Sequence, residues 1–121
     1  MRRTPIYKKY VERIDKDEFI MFFNSCKPGD WFSGSELRAF PFPGHASSLA
    51  GRYLIKRTIC DFIKDNNKMH EIEILNNEFG KPDIVLGLNI RHAIEETGIK
   101  KIECSISHSK NHITGMTIFC Y

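Results

Sequence analysis

Residues Ser47 to Lys64 read SSLAGRYLIKRTICDFIK, and the rest of the chain is parsed from this stretch. Ala50, Leu54, Ile55, Ile59, Phe62 and Ile63 recur at helical spacing. That periodicity predicts a helix over 47–64 with one apolar stripe turned to a core. Arg52, Lys56, Arg57 and Asp61 occupy much of the remaining helix surface; for Arg52 and Lys56 a solvated face with snorkelling side chains is the bland alternative to a ligand role. Asp65-Asn66-Asn67 is expected to stop the helix.

Upstream, Ile6 to Ile14 mixes apolar and basic residues and is expected to form a short strand running into a turn. Asp15 and Glu18 stand at capping-box spacing before Phe19, Ile20, Phe22 and Phe23, so a short helix begins near Asp15. The Phe19–Phe23 cluster reads as core or subunit interface. Lys27-Pro28-Gly29 ends that helix, Ser33 and Glu36 repeat the cap spacing, and Pro41-Phe42-Pro43-Gly44 breaks the chain again. Downstream, alternation predicts strands over 71–75 and 83–88, paired across the turn 76–82. A short helix over 89–97 is closed by Gly98. Two further strands, 101–107 and 114–121, flank a connecting loop from Ser107 to Ile113. Helices early and antiparallel strands late define an α+β class.

The bulk numbers fit one domain over 1–121. The chain is 41% hydrophobic and 27% charged, as in an ordinary globular protein. A net charge of +3 gives no ground for a nucleic-acid partner, but it suits an anionic one. Cys26, Cys60, Cys104 and Cys120 form no CxxC pair, so zinc and thioredoxin-like readings lack support, and reduced thiols are expected. Arg2 and Arg3 open the chain without an apolar segment behind them, so neither a signal peptide nor a membrane partner is expected. The cytoplasm is the expected location. His45, His70, His92 and His112 show no ligand spacing and read as surface residues.

Three segments together resemble the 4′-phosphopantetheinyl transferase superfamily, in its short holo-acyl-carrier-protein synthase form. They are Leu49-Ala50-Gly51-Arg52-Tyr53-Leu54-Ile55-Lys56, then Asn77-Glu78-Phe79-Gly80-Lys81-Pro82, then Cys104-Ser105-Ile106-Ser107-His108-Ser109-Lys110. Each is weak alone, but their order and spacing make the set specific. The resemblance implies a half-unit fold with N-terminal helices packed on a mainly antiparallel sheet. It implies transfer of phosphopantetheine from coenzyme A to a serine of an acyl carrier protein, as in fatty-acid or polyketide biosynthesis. It also implies magnesium, and a homo-oligomer, usually a trimer, with sites between subunits. Carried over residue by residue, Arg52, Lys56, Lys81, Pro82, Ser107 and His108 are the expected coenzyme A contacts. Arg52, Ser107 and His108 are expected to converge on one anion site.

The chain departs from the family where the metal carboxylates belong. A glutamate is expected directly after the helix lysine, and Arg57 stands there. Aligning Val11-Glu12-Arg13-Ile14 with the end of the family's first strand puts Tyr7 at the aspartate position. Arg57 therefore has three readings. It neutralises the pyrophosphate directly; or it pairs with Asp61 one turn on and does no chemistry; or Asp61 recruits a metal in a shifted position. Glu12 is the other carboxylate available as a replacement ligand. Coenzyme A binding is accordingly expected to be largely independent of magnesium. The functional classes left open are an active transferase, a catalytically degenerate homologue that binds coenzyme A or the carrier protein, and a structural partner of an active subunit.

Overall fold

The computed structural model describes residues 6–121; Arg2 and Arg3 lie outside them. The long helix forms as expected and is α3 (Ala46–Ile63). It ends at Lys64, which takes the left-handed conformation at φ 58, while the side chain of Asp65 caps the following turn. A lysine thus occupies a position where glycine is the usual choice.

Around α3 the elements run β1 (Tyr7–Asp15), α1 (Lys16–Ser25), α2 (Gly34–Ala39), then β2 (Ile72–Asn76), β3 (Pro82–Leu86), α4 (Leu88–Glu96), β4 (Lys101–His108) and β5 (His112–Cys120). Asp15 caps α1 by accepting from the N–H groups of Asp17 and Glu18. Ser33 and Glu36 form a complete capping box on α2. Gly98 sits at φ +88 just past α4, where only glycine is free of strain. The strands form an antiparallel three-stranded sheet in the order β1-β5-β4 and a separate β2-β3 hairpin. The α+β class holds, with two adjustments. The first strand is long and pairs with the last along its whole length, Tyr7 opposite Cys120 and Asp15 opposite His112. The β4–β5 connection is shorter than expected, because Ser107 and His108 remain in the ladder opposite Thr114 and Ile113.

Helix α3 lies on one face of the three-stranded sheet, and glycines set how closely. A Cβ on Gly51 would come within 2.3 Å of Ile106 Cγ2, and one on Gly115 would meet Leu54 Cβ at 3.0 Å. Neither neighbour is the far end of a flexible chain, so a methyl at Gly51 would force helix and strand apart. On one side of α3, Ile55 and Ile59 pack with Ile72, Ile74, Ile90, Ile94 and Phe119. On the other, Leu49 and Leu54 pack with Phe19, Phe23, Phe32, Phe40 and Ile113. Phe19 and Phe23 are therefore core, while Met21 is 74% and Phe22 41% exposed on the outer side of α1.

Arg52 and Lys56 are not solvated: they are 4% and 0% exposed. Helix α2 and strand β2 cover that side of α3 and bring a counter-charge and free acceptors with them. Arg57 and Asp61 alone of the four stay at the surface. Among the described residues no helix is long and apolar enough to cross a membrane.

Candidate functional site

Arg52 is held by three acceptors. Its Nε donates to Ile74 O at 2.8 Å, Nη1 to Ser48 O at 3.1 Å and Nη2 to Asn76 Oδ1 at 2.8 Å. The guanidinium also lies 3.8 Å from the centroid of the Phe40 ring. Burial lowers its pKa from the ordinary value, with the Glu36 charge opposing the shift. An arginine stays charged regardless, so this is a fixed cation with no carboxylate in direct contact among the described residues.

Beside it, the β2–β3 turn is shaped by its own side chain. Asn77 Oδ1 accepts from the N–H of Phe79 at 2.8 Å and of Lys81 at 3.1 Å, and Asn77 N donates to Lys81 O at 2.7 Å. Gly80 takes φ +78, and Pro82 then starts β3. Arg52, Ser48, Asn76, Gly80, Pro82, Ile106 and His108 together line a cavity of about 210 Å³. Pro82 and Ile106 also border a larger cleft of about 770 Å³ between β3 and β4, which takes in Lys81, Lys101 and Cys104. The two spaces adjoin at Pro82 and Ile106 along a groove between β3 and β4, which belong to separate sheets. Cys104 faces it as a neutral thiol, its pKa pushed up to about 11 chiefly by burial.

The expected contacts sort themselves against this groove. Arg52, Lys81, Pro82 and His108 line it. Ser107 does not: it is exposed and alternates onto the opposite face of the sheet from Ile106 and His108. The expected convergence of Arg52, Ser107 and His108 therefore reduces, within one chain, to Arg52 and His108. Lys56 is also outside the groove. Its ammonium pairs with the Glu36 carboxylate, donates to Trp31 O at 2.8 Å and sits 4.9 Å from the Phe32 ring centroid. Burial lowers the Lys56 pKa and the Glu36 charge opposes that. Glu36 further accepts from Ile74 N–H at 2.9 Å, so this pair stitches α2, α3 and β2 together.

Arg57 does not pair with Asp61. Its Nη2 donates to Glu12 Oε2 at 3.2 Å, and its Cζ lies 5.3 Å from the Tyr53 ring centroid. The cause is β1, which runs alongside α3 and brings Glu12 to the guanidinium, on the same face of the strand as the buried Ile14. Tyr7 has the opposite parity, is 60% exposed and points away from α3, so it does not stand in for a carboxylate facing Arg57. Glu12 and Asp61 do border one cavity of about 240 Å³, together with Tyr10, Thr58 and Phe62.

Sequence reasoning missed Ser48, Asn76 and Glu36. Ser48 lies one turn before Arg52 and Asn76 directly precedes the turn, so both were signalled by position. Glu36 was read only as a capping residue.

The fold is that of solved holo-[acyl-carrier-protein] synthases. The chain is similar to such synthases in sequence as well as in structure. It is 31% identical over 78 residues to the holo-[acyl-carrier-protein] synthase of Caldanaerobacter subterraneus subsp. tengcongensis, covering 64% of this chain and 61% of that protein. The match thus spans about three fifths of the relative's length. The holo-[acyl-carrier-protein] synthase of Neisseria meningitidis superposes with a TM-score of 0.78 at 19% identity, covering 92% of this chain and 95% of that one. The Chronobacterium ammoniagenes enzyme in complex with CoA superposes with a TM-score of 0.75 at 22% identity, covering 96% and 98%. No protein-family model matches the chain.

The magnesium that the fold class implies does not fit the residues present. The acidic side chain nearest the expected position, Glu12, is engaged by a guanidinium.

Proposed function

We propose that this chain is a holo-acyl-carrier-protein synthase-like transferase, acting as one domain in the cytoplasm. It moves 4′-phosphopantetheine from coenzyme A to a serine hydroxyl of an acyl carrier protein. In that reaction the serine oxygen forms a bond to the pyrophosphate phosphorus that carries pantetheine. The bond from that phosphorus to the bridging oxygen breaks, 3′,5′-adenosine diphosphate leaves, and the hydroxyl proton passes to a base. Chemistry of this kind needs positioning and fixed positive charge more than covalent participation.

The observation that carries the proposal is the groove itself. Arg52, immobilised by three acceptors, and His108, fixed in the β4 ladder, meet at one end beside the Gly80-Lys81-Pro82 turn. Past Pro82 and Ile106 the adjoining cleft of about 770 Å³ continues between β3 and β4. The complex of the similar Chronobacterium ammoniagenes enzyme with CoA supports the choice of ligand. Isothermal calorimetry tests it. Coenzyme A should bind the wild type, and His108→Ala should weaken binding about tenfold, the effect of losing one charge-assisted contact. Unchanged affinity in His108→Ala would remove the groove from the reading. A second reading, a homologue that binds coenzyme A without transfer, is favoured by Arg57 at the glutamate position. The transfer assay that closes the Discussion separates the two.

We also propose that the working unit is a homo-oligomer, most simply a trimer. At about 3.6 residues per turn, Arg57 points well away from Arg52. Arg52 faces β2 and the groove, while Arg57 faces β1. A ligand touching both flanks of α3 needs two copies of the chain. The sheet face opposite α3 supplies a surface for self-association, with Val11 and Met116 paired at its centre and Val11 57% exposed. Light scattering coupled to size exclusion should give the mass of a trimer for the wild type and of a monomer for Val11→Glu. A wild-type monomer at high concentration would contradict this.

A further inference from the structure

The cations of α3 differ in what neutralises them, and that difference assigns a role to Arg57. Lys56 is buried against Glu36 and has no free surface to offer a ligand. Arg52 is fixed by neutral acceptors at the groove. Arg57 is 34% exposed, and its partner Glu12 is 41% exposed. Ion pairs at that exposure are weak and readily exchanged. A phosphate offers a guanidinium a bidentate, more highly charged partner than this one carboxylate. The Tyr53 ring beneath the guanidinium limits where it can swing.

Donor number alone would not keep magnesium away. Two carboxylates, Glu12 and Asp61, border one cavity with Tyr10, Thr58 and Phe62, and magnesium often takes one or two carboxylates together with substrate phosphates. The obstacle is the cation already bonded to Glu12. A divalent ion ligated by Glu12 would sit against the guanidinium and compete with it for the same phosphate oxygens.

We infer that Arg57 takes the place of a divalent cation, contacting the coenzyme A pyrophosphate itself, with Glu12 serving to park and orient Arg57 when no phosphate is present. This rests on the reading of the chain as a coenzyme A-dependent transferase, and it adds that fixed positive charge does the neutralising.

The test is calorimetry of coenzyme A binding to the wild type, Arg57→Gln and Arg57→Glu. Each is measured in EDTA and in millimolar magnesium at matched ionic strength, with circular dichroism confirming that the variants fold. Wild-type affinity should agree between the two buffers within about twofold. Arg57→Gln should bind about tenfold more weakly in EDTA, since a charge-assisted phosphate contact is gone and nothing replaces it there. Arg57→Glu should be weaker still in EDTA and should recover at least partly in magnesium, because the guanidinium is gone and a further carboxylate joins Glu12 and Asp61. A wild-type affinity that rises tenfold or more with magnesium overturns the inference and leaves the transferase reading standing. Undiminished binding by Arg57→Gln in EDTA does the same. Absence of wild-type binding in both buffers sinks the transferase reading, and the role of Arg57 with it.

Discussion

Replacing Glu36 with alanine is expected to lower the free energy of unfolding by about 3–5 kcal/mol, the usual result of removing one partner from a buried ion pair. Glu36 and Lys56 are both fully buried, and Glu36 also accepts from the N–H groups of Ser33 and Ile74 at 2.9 Å. Among the described residues, the variant would leave the Lys56 ammonium with only Trp31 O as a hydrogen-bond acceptor. Urea denaturation at pH 7 measures the effect. The pH dependence supplies a second check, with a definite sign. Burial already holds Lys56 below the ordinary lysine value of 10.5, and the Glu36 charge works against that shift. Removing Glu36 must lower the Lys56 pKa further. Between the folded value and 10.5 the unfolded chain then binds more protons than the folded one, so the variant's stability rises with pH there. The deficit relative to wild type should therefore shrink as pH rises towards 10.5. A deficit that is flat or grows with pH would mean that the ion pair is not the cause.

Arg52→Ala is expected to cost about 3 kcal/mol of stability, because it strands acceptors in a buried setting. Ile74 O, Ser48 O and Asn76 Oδ1 all lose their donor, and Phe40 loses the cation above its ring. Arg52→Lys should recover little of this, since an ammonium cannot reach three separated acceptors in the plane of a guanidinium. If Arg52 were only a solvated helix residue, both variants would fall within about 0.5 kcal/mol of wild type in the same denaturation experiment. Any coenzyme A affinity lost by Arg52→Lys, at a concentration of denaturant-free folded protein matched to wild type, would then report on the groove rather than on folding.

The contrast between these two residues and Arg57 shows what could be read from the sequence. Regular elements were legible wherever local chemistry specifies them. The capping box of Ser33 and Glu36, the left-handed glycine after α4 and the alternation of β2 all act within a few residues. The groove was partly legible, because the helix, turn and strand motifs that resemble the family supply Arg52, Lys81, Pro82 and His108. What failed depended on elements far away in the chain. Lys56 looked like a surface lysine because its counter-ion arrives on α2, and Arg57 seemed suited to Asp61 because β1 carries the real partner, Glu12. Ser107 and His108 were taken together as loop residues, yet pairing with β5 extends the ladder through both and sends their side chains to opposite faces.

The central claim is transfer, and one measurement tests it most directly. Apo acyl carrier protein is incubated with coenzyme A, magnesium and this protein, and its intact mass is recorded over time. A mass gain of one phosphopantetheine unit is expected, dependent on this protein and abolished when the carrier's acceptor serine is replaced by alanine. An unchanged carrier mass, where a known synthase modifies the same preparation, would contradict the transferase reading.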